Sequence, residues 1–449
     1  MSAAHRFTRG AILAVGLSLI ESTTAPARAL AETPGITDAE LAHGIDRGSV
    51  VRAVLARSPR LKAQADRVRA MRSMSSAEGR LPDPEVMFQI WQVPFERPVS
   101  FSDAQMIMGG ILQSFPAPGS LSARAAARTH LANAEEAMLA DKARDVVRDA
   151  EHAYVDLAEA TARHHTHVEH RDVVDKIVRA VEARQSAGGT LEDVTQAQLE
   201  LARLDADIAT EAAAMERGKT HLNALLARTL DAPLGPVETS EPMTVAVTPD
   251  ALVAMAERAR PDLRAADARV GAENATLEST RREATLPSFS VGAYYFAPTT
   301  LMPFNGYGIS ASMTLPWVWG GGARKREAAE ALGQAAAHDV DEARLEVGVD
   351  VGTAAASARA AAERLRVLRS RALPAAQRAL DVAFASYQGG GGGLLGVLRA
   401  RQAIVDVEME LVMARALLDH ALADLDWAVG APLPRTALLD DAEARHEHP

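Results

Sequence analysis

The second half of this 449-residue chain repeats the order of motifs of its first half at an offset of about 200 residues. The matched segments are SPRLKAQADRV (58–68) with RPDLRAADARV (260–270), LPDPEVMFQIW (81–91) with LPSFSVGAYYF (286–296), FPAPGSLSARAAA (115–127) with LPWVWGGGARKREAA (315–329), and SAGGTLEDVTQAQLEL (186–201) with GGGGGLLGVLRARQAI (389–404). Four blocks in the same order, including both glycine-rich turns, indicate duplication rather than chance similarity between alanine-rich helices. Each half is predicted to run helix, strand pair, long helix, glycine-rich turn, helix.

The last helix of each half carries a heptad seam. Apolar or small residues step 3-4-3-4 from Val397 to Leu425, which is the spacing of a coiled coil. The equivalent seam from Val194 to Leu222 is interrupted only at Glu211 and Gly218. This regularity predicts helix–helix packing and says nothing about chemistry.

The long helices limit the architecture further. Segment 119–186 reads as one helix, which would be about 100 Å long at 1.5 Å per residue. Segment 323–388 is its counterpart, with a kink expected at Pro374. The helices that open the two halves, 47–79 and 249–283, supply the length by which the return helices fall short. We therefore predict a tall cylinder of helices.

Four strands are predicted between the opening and the long helices, at about 85–95, 103–115, 286–297 and 305–315. In the last of them Tyr307, Ile309, Ala311 and Met313 alternate with small or polar residues. One lipid-facing side and one wet side would give this pattern, and an ordinary soluble antiparallel sheet is the alternative. Residues expected at the membrane interface flank the strand ends; they are Trp91, Trp317 and Trp319.

The strand number requires more than one copy of the chain. Closed outer-membrane barrels have about eight strands or more, so four strands cannot close one. A dimer and a trimer would both suffice, and strand arithmetic does not choose between them.

The first residues have the order of a secretory signal peptide. Arg6 and Arg9 precede the apolar stretch 11–20, and Ala29 and Ala31 are small residues suited to cleavage. This stretch is shorter than the roughly 20 residues of a transmembrane helix. An exported membrane protein without such a helix would be a β-barrel.

Composition narrows the class of function. The chain has no cysteine and a net charge of −11, which excludes thiolate chemistry and argues against a nucleic-acid partner. The nucleophile-elbow, phosphate-loop, dinucleotide and zinc-protease motifs are absent from the sequence. We therefore expect neither an enzyme nor a cofactor.

The predicted organisation follows from these patterns. It comprises a signal peptide at 1–31, a first repeat at 32–230, a linker at 231–248, a second repeat at 249–430 and a flexible tail at 431–449. Within the repeats, the strand pairs fall at about 85–115 and 286–315, and the helix hairpins at 119–228 and 323–429.

Taken together, these blocks resemble the TolC-like outer-membrane efflux family over essentially the whole mature chain. The resemblance rests on the units opened by LPDPEV and LPSFSV, on the QSFPAPG and TLPWVWGGG junctions and on both glycine-rich turns. It implies a homotrimer whose protomers give four strands each to a twelve-stranded barrel, continuous with a periplasmic α-helical barrel. It also implies the exit duct of a tripartite pump in the outer membrane of a Gram-negative bacterium, projecting into the periplasm. The partners implied are outer-membrane lipid, a periplasmic adaptor and an inner-membrane transporter of the resistance-nodulation-division type.

The resemblance also assigns the periplasmic entrance to the two hairpin tips. The adaptor-docking residues implied are Gly188, Gly189, Thr190, Leu191, Gly389, Gly390, Gly391, Gly392, Gly393, Leu394 and Leu395. Many relatives carry acidic residues just inside these tips, and the matching positions here are Asp193, Gln196 and Arg399. Three symmetric copies of Asp193 would favour cations. Alternatively, Asp193 is a carboxylate that stabilises a helix start.

The sequence indicates the substrate less clearly than it indicates the duct. LPDPEV followed by QSFPAPG looks more like the heavy-metal branch than the drug branch, although the N-terminal lipidated cysteine of many metal-branch members is absent. His164, His167 and His170 are three residues apart and are weak candidates for a metal site, against the alternative of a solvated helix face. Drug efflux, type I protein secretion and a soluble periplasmic coiled-coil scaffold are the other functions considered.

Overall fold

The computed structural model describes residues 36–185, 191–389 and 391–438. The predicted signal peptide and most of the predicted C-terminal tail lie outside these residues. The described residues divide into two compact units. The helical unit takes the described parts of Met1–Lys62, Ala140–Arg260 and Leu345–Pro449; the sheet unit takes Ala63–Leu139 and Pro261–Arg344.

The chain is mostly helical. The helices of the described residues are α1 Asp38–His43, α2 Arg47–Arg57, α3 Pro59–Glu78, α4 Ser120–Gln185, α5 Leu191–Leu225, α6 Pro249–Ala259, α7 Pro261–Thr285, α8 Gly321–Val367, α9 Leu373–Gln388 and α10 Leu394–Val429. The strands are β1 Glu85–Trp91, β2 Met106–Phe115, β3 Met243–Thr244, β4 Phe289–Ala297, β5 Gly306–Met313 and β6 Thr436–Ala437. None of the helices in the described ranges has both the length and the hydrophobicity needed to cross a membrane.

The prediction of one unbroken opening helix in each half is wrong. Segment 47–79 is divided at Ser58 into α2 and α3, and segment 249–283 is divided at Arg260 into α6 and α7. Both dividing residues have extended ψ angles, 120° at Ser58 and 124° at Arg260. Each precedes a proline, whose ring disfavours helical geometry in the residue before it. The break is duplicated, as the motifs are.

The long helices occur close to their predicted bounds. Helix α4 has 66 residues. The interruption expected near Pro374 takes the form of a π-helical turn at Leu368–Ala372, between α8 and α9. Proline cannot donate a backbone hydrogen bond to the preceding turn, and a wider turn accommodates that loss.

The heptad seams are the inner faces of α5 and α10 in the helical unit. Val397, Ile404, Ala414 and Leu418 are buried along α10, and no seam residue of that helix is exposed. On α5, Gly218 lets the helix approach Leu157 of α4, since a Cβ atom built on this glycine would lie 3.2 Å from the leucine side chain. The small residue in the seam is therefore a site of close packing.

The sheet unit contains one four-stranded antiparallel sheet in the order β1-β2-β4-β5. Its strands are shorter than predicted. β1 ends at Trp91 because Gln92 adopts a φ of 54° and Pro94 follows, while prolines 287 and 316 flank the β4–β5 pair. In this single chain β1 and β5 are the edge strands.

The register gives this sheet one mainly apolar face, on which Gln113, opposite Val291, is a polar exception. Val86 lies opposite Ile111, which lies opposite Ala293, which in turn lies opposite Ile309. Other members of the same face are Phe88, Ile107, Phe115, Phe289, Val291, Tyr295, Tyr307 and Met313. Val86 is 82% exposed and Tyr307 is 87% exposed, so none of the described residues covers the face at either edge strand. The opposite face carries glycines and serines on β5.

Candidate functional site

The described hairpin-tip residues lie at the ends of α5, α9 and α10. Leu191 is the first residue of α5 and is exposed, and Leu394 and Leu395 begin α10. Gly389 follows α9 and donates its N–H to the carbonyl of Ala385 at 3.0 Å. Gly391 and Gly392 donate to the carbonyl of Ser386 at 3.0 and 3.2 Å. The predicted tip residues Gly188, Gly189, Thr190 and Gly390 lie outside the described residues.

The two hairpin ends pack against each other through one apolar cluster. Val181 and Val194 come from the first hairpin, and Leu394 and Leu398 come from the second. Ile177 and Tyr387 complete the cluster from its rim. Because the cluster is built from both halves of the chain, the position of one tip depends on the packing of the other.

The three predicted gate residues lie in the first two turns of α5 and α10, beside this cluster. Asp193 directly precedes the buried Val194 and is half-buried. The amide of Gln196 donates to Glu192 Oε1 at 3.0 Å, while the buried Gln196 Oε1 has no hydrogen-bond partner among the described residues. Arg399 directly follows the cluster residue Leu398 and is exposed. With Glu192, Asp193 forms an acidic first turn of α5, so the helix-start interpretation also stays open.

The predicted histidine cluster does not present a shared set of nitrogen ligands. His167 and His170 are buried, whereas His165 is exposed beside Glu169 at 3.3 Å. His170 Nε2 lies 2.5 Å from Glu408 Oε2, and its Nδ1 lies 2.6 Å from Arg401 Nη2. Both nitrogens are therefore occupied. Across residues 36–185, 191–389 and 391–438, no group of three or more histidine and carboxylate side chains has an arrangement that could hold a metal ion.

The geometry determines the protonation state of His170. A guanidinium group only donates hydrogen bonds, so Nδ1 must accept and the proton must sit on Nε2, from which it is donated to Glu408. Burial, together with the positive charge of Arg401, holds the pKa of His170 below its ordinary value, against the opposing effect of Glu408. His170 is thus a neutral link between α4 and α10.

The partners in this link and in a second one were not predicted from the sequence. Arg163 of α4 pairs with Glu211 of α5 at 2.6 Å. The signal for the second link was present, since Glu211 interrupts the heptad seam, but its arginine partner could not be identified from local periodicity.

A further group of charges holds α2, α4 and α10 together in the helical unit. Arg47 donates to both carboxylate oxygens of Glu151, at 2.7 and 2.8 Å, and lies 3.6 Å from Asp426. Burial raises the pKa of Asp426, although Arg435 and Arg47 oppose the shift. Trp427 donates its indole N–H to Asp145 at 2.8 Å. These contacts are a structural network, since Arg47, Glu151 and Asp426 each have an opposite charge beside them.

The three predicted interface tryptophans lie at opposite ends of the sheet. Trp91 ends β1 opposite Met106, the first residue of β2. Trp317 and Trp319 follow β5, on the side where the chain enters α8. All three side chains are exposed, and Trp319 is 93% exposed.

Comparisons with known proteins agree with this architecture. Residues 252–431 match the sequence model of the family described as outer membrane efflux protein. No curated protein matches the chain in sequence. The chain is similar in structure to CusC, with a TM-score of 0.73 at 16% identity over 90% of this chain and 96% of that one.

Two further solved structures are similar. The outer membrane protein VceC of Vibrio cholerae has a TM-score of 0.69 at 21% identity, over 86% of this chain and 97% of that one. The open state of the MtrE outer membrane channel of Neisseria gonorrhoeae has a TM-score of 0.69 at 19% identity, over 86% of this chain and 89% of that one. At these identities the likeness shows a shared fold.

Proposed function

We propose that this chain is the passive exit duct of a tripartite efflux system in the outer membrane, and not an enzyme. Its match to the outer membrane efflux protein family over residues 252–431 supports this proposal. The single observation that carries the proposal is the exposed apolar face of the four-stranded sheet, which runs across all four strands. A face of this kind on an exported chain is suited to contact with lipid. Energy for transport would come from a partner.

The complete duct is proposed to be a homotrimer. Strands β1 and β5 are the edges of the sheet, and no strand of the described residues pairs with their outer sides, which favours pairing with another copy. Three copies would close a twelve-stranded barrel, and their long helices would form the periplasmic barrel. Family resemblance supports three copies rather than two.

The partners proposed are a periplasmic adaptor and an inner-membrane transporter of the resistance-nodulation-division type. The adaptor would dock at the hairpin tips, near Leu191, Leu394 and Leu395. Exposed side chains at Leu191 and Leu395 support this proposal, because they offer apolar surface at the tip. Asp193, Gln196 and Arg399 would line the entrance just inside.

Heavy-metal cations are the proposed substrate class, on the strength of the LPDPEV and QSFPAPG motifs. His170 adds no support, because both of its ring nitrogens are already bonded. A deletion strain grown on copper, silver, zinc, cobalt, nickel, dyes and antibiotics tests the proposal. Sensitivity to one or two metals, restored by the intact gene, supports it. Sensitivity to dyes and antibiotics alone favours the drug-efflux alternative.

Cell fractionation separates the duct from the soluble-scaffold alternative. We expect the full-length protein in the outer-membrane fraction, extracted by detergent as a heat-sensitive oligomer. Complete release by osmotic shock would contradict the duct and favour a periplasmic scaffold. Retention of an exported protein in the cell, with normal metal and drug tolerance, would instead favour the type I secretion alternative.

A further inference from the structure

The segment between β5 and the first turns of α8 combines exposed tryptophans with a run of basic residues. Trp317 is 55% exposed and Trp319 is 93% exposed. Arg324, Lys325 and Arg326 follow directly and are also exposed. We call these five residues the basic–aromatic patch. All of them belong to the sheet unit.

Part of the patch forms a shallow cleft. Trp317 and Arg326 line it together with Ala284 and Thr285 of α7. The indole therefore provides an apolar wall beside a guanidinium group. Such a pairing suits a group that has both an apolar part and an anionic oxygen.

The positive charges of the patch are not neutralised within the part of the chain that the structure describes. None of Arg324, Lys325 and Arg326 forms an ion pair there. The adjacent Glu327 forms none with them, and Glu330 pairs with Arg281 at 3.1 Å. The patch is thus basic on a chain whose net charge is −11.

At the corresponding junction of the first repeat, the basic side chains are paired with carboxylates. Arg124 lies five residues beyond the left-handed Gly119, as Lys325 does beyond the left-handed Gly320. Arg124 pairs with Glu283 at 2.7 Å, and Arg128 pairs with Glu78 at 3.4 Å. The duplicated junction therefore pairs its basic residues with carboxylates in one repeat, whereas in the other repeat they have no acidic partner among the described residues.

We propose that the basic–aromatic patch binds the headgroups of anionic phospholipids at the membrane surface. Arg326 and Lys325 would contact the phosphate oxygens, and Trp317 and Trp319 would lie at the headgroup level, where indole rings are favoured. The occupant follows from charge complementarity and from the exposed aromatic rings beside the charges. This inference rests on the proposed location of the sheet in a membrane.

The test measures lipid selectivity of the full-length protein. Wild-type protein is reconstituted into phosphatidylcholine vesicles, and the association of spin-labelled phosphatidylglycerol and spin-labelled phosphatidylcholine is compared by electron paramagnetic resonance. We expect the anionic lipid to be preferred about threefold at low salt, and the preference to shrink at high salt. The variant R324Q/K325Q/R326Q should lose the preference.

A matched control removes the same number of charges elsewhere. Lys176, Arg217 and Arg378 are exposed on α4, α5 and α9 of the helical unit. The variant K176Q/R217Q/R378Q should keep the preference. The single substitutions R324Q, K325Q and R326Q are measured alongside, so that a triple variant that fails to fold does not decide the result.

The outcomes separate this inference from the proposed function. If the wild-type protein inserts into the vesicles but both spin-labelled lipids associate with it equally, the patch inference is wrong and the duct proposal stands. The same conclusion follows if the three single variants and the triple variant all retain the preference. If the wild-type protein fails to insert into any vesicle, the membrane proposal fails, and the patch inference fails with it.

Discussion

Arg163 and Glu211 form a 2.6 Å ion pair between α4 and α5 at a position where the heptad pattern calls for an apolar residue. The Glu211 side chain is 7% exposed, whereas that of Arg163 is 32% exposed. The seam therefore tolerates the charge of Glu211 because Arg163 on the neighbouring helix pairs with it. Gly218, the other exception in the seam, is explained by close packing on Leu157.

The Arg163–Glu211 pair predicts losses of stability of different size for two substitutions. Glu211→Ala should lower the free energy of unfolding by about 1–2 kcal/mol, less than for a fully buried pair because Arg163 is partly solvated. Glu211→Leu should cost less than about 1 kcal/mol, because it restores the apolar seam and Arg163 keeps Glu159 at 3.4 Å. Chemical denaturation in detergent, followed by circular dichroism, measures both. Equal losses for the two variants would contradict the seam argument.

The His170 link predicts a loss of stability in mild acid. The folded-state pKa of His170 is lower than its ordinary value of 6.5, so only the unfolded chain takes up a proton as the pH falls below about 6.5. The contribution of His170 to the free energy of unfolding is therefore fully present above about pH 6.5. It is lost as the pH falls towards the folded-state pKa.

Two histidine variants check this behaviour. His170→Asn should be less stable than wild type at pH 7.5 by about 2 kcal/mol and should show a weaker dependence on pH between 7.5 and 5. His165→Asn is the control, because His165 is exposed on the same helix. An unchanged pH profile in His170→Asn would show that His170 is not the titrating group.

Tyr154 predicts a second pH effect, at the alkaline end. Burial, with nearby Asp46, Asp419 and Glu238, raises the pKa of Tyr154 to about 12, against the effect of Arg47. Its hydroxyl donates to the carbonyl of Glu238. Between pH 10 and about 12 only the unfolded chain ionises this group, so its stabilising effect is complete below pH 10 and is lost as the pH rises.

Tyr154→Phe should remove about 2 kcal/mol of this alkaline loss, corresponding to a shift of up to about two pKa units. Unfolding midpoints at pH 9 and pH 11.5 measure it. If the unfolding midpoint falls by the same amount between pH 9 and pH 11.5 in the wild type and in the variant, Tyr154 is not the titrating group.

The two strand-to-helix junctions predict a graded effect of glycine substitution. Gly119 has a φ of 78° and Gly320 has a φ of 66°. Gly320→Ala should cost about 1 kcal/mol, the penalty of a left-handed backbone. Gly119→Ala should cost about 2 kcal/mol, because a Cβ atom there would also collide with the guanidinium of Arg282 and displace it from Glu278. Thermal unfolding compares them, and a larger loss for Gly320→Ala would be the contrary result.

If Asp193 lines the narrow entrance of the duct, its charge should affect the ion selectivity of the channel. Asp193→Asn should reduce cation selectivity and weaken block by divalent cations in single-channel recordings, because the charge is removed while the shape is kept. Asp207→Asn, at an exposed position on the same helix, is the control. Unchanged selectivity and block in Asp193→Asn would leave the helix-start role as the explanation for Asp193.

The secondary structure could be predicted from sequence because its signals are local. The heptad spacing from Val397 to Leu425 and the alternation from Tyr307 to Met313 depend only on the period of a helix and of a strand. The breaks at Ser58 and Arg260 had a local signal too, in the prolines that follow them, but the prediction overlooked it. The strand ends at Trp91 and Met313 were overestimated because neighbouring prolines and a left-handed residue shorten the strands.

The sequence by itself therefore determined the duplicated order of helices and strands and the apolar faces of both. Only the tertiary structure decided how the charged side chains are used. His170 and Glu408 are 238 positions apart. Arg124 and Arg128 find their acidic partners on α7 and α3, whereas Arg324–Arg326 have none among the described residues. An ion pair depends on distance in space, which periodicity along the chain does not encode, whereas a helix or strand depends on neighbours that the chain itself brings together.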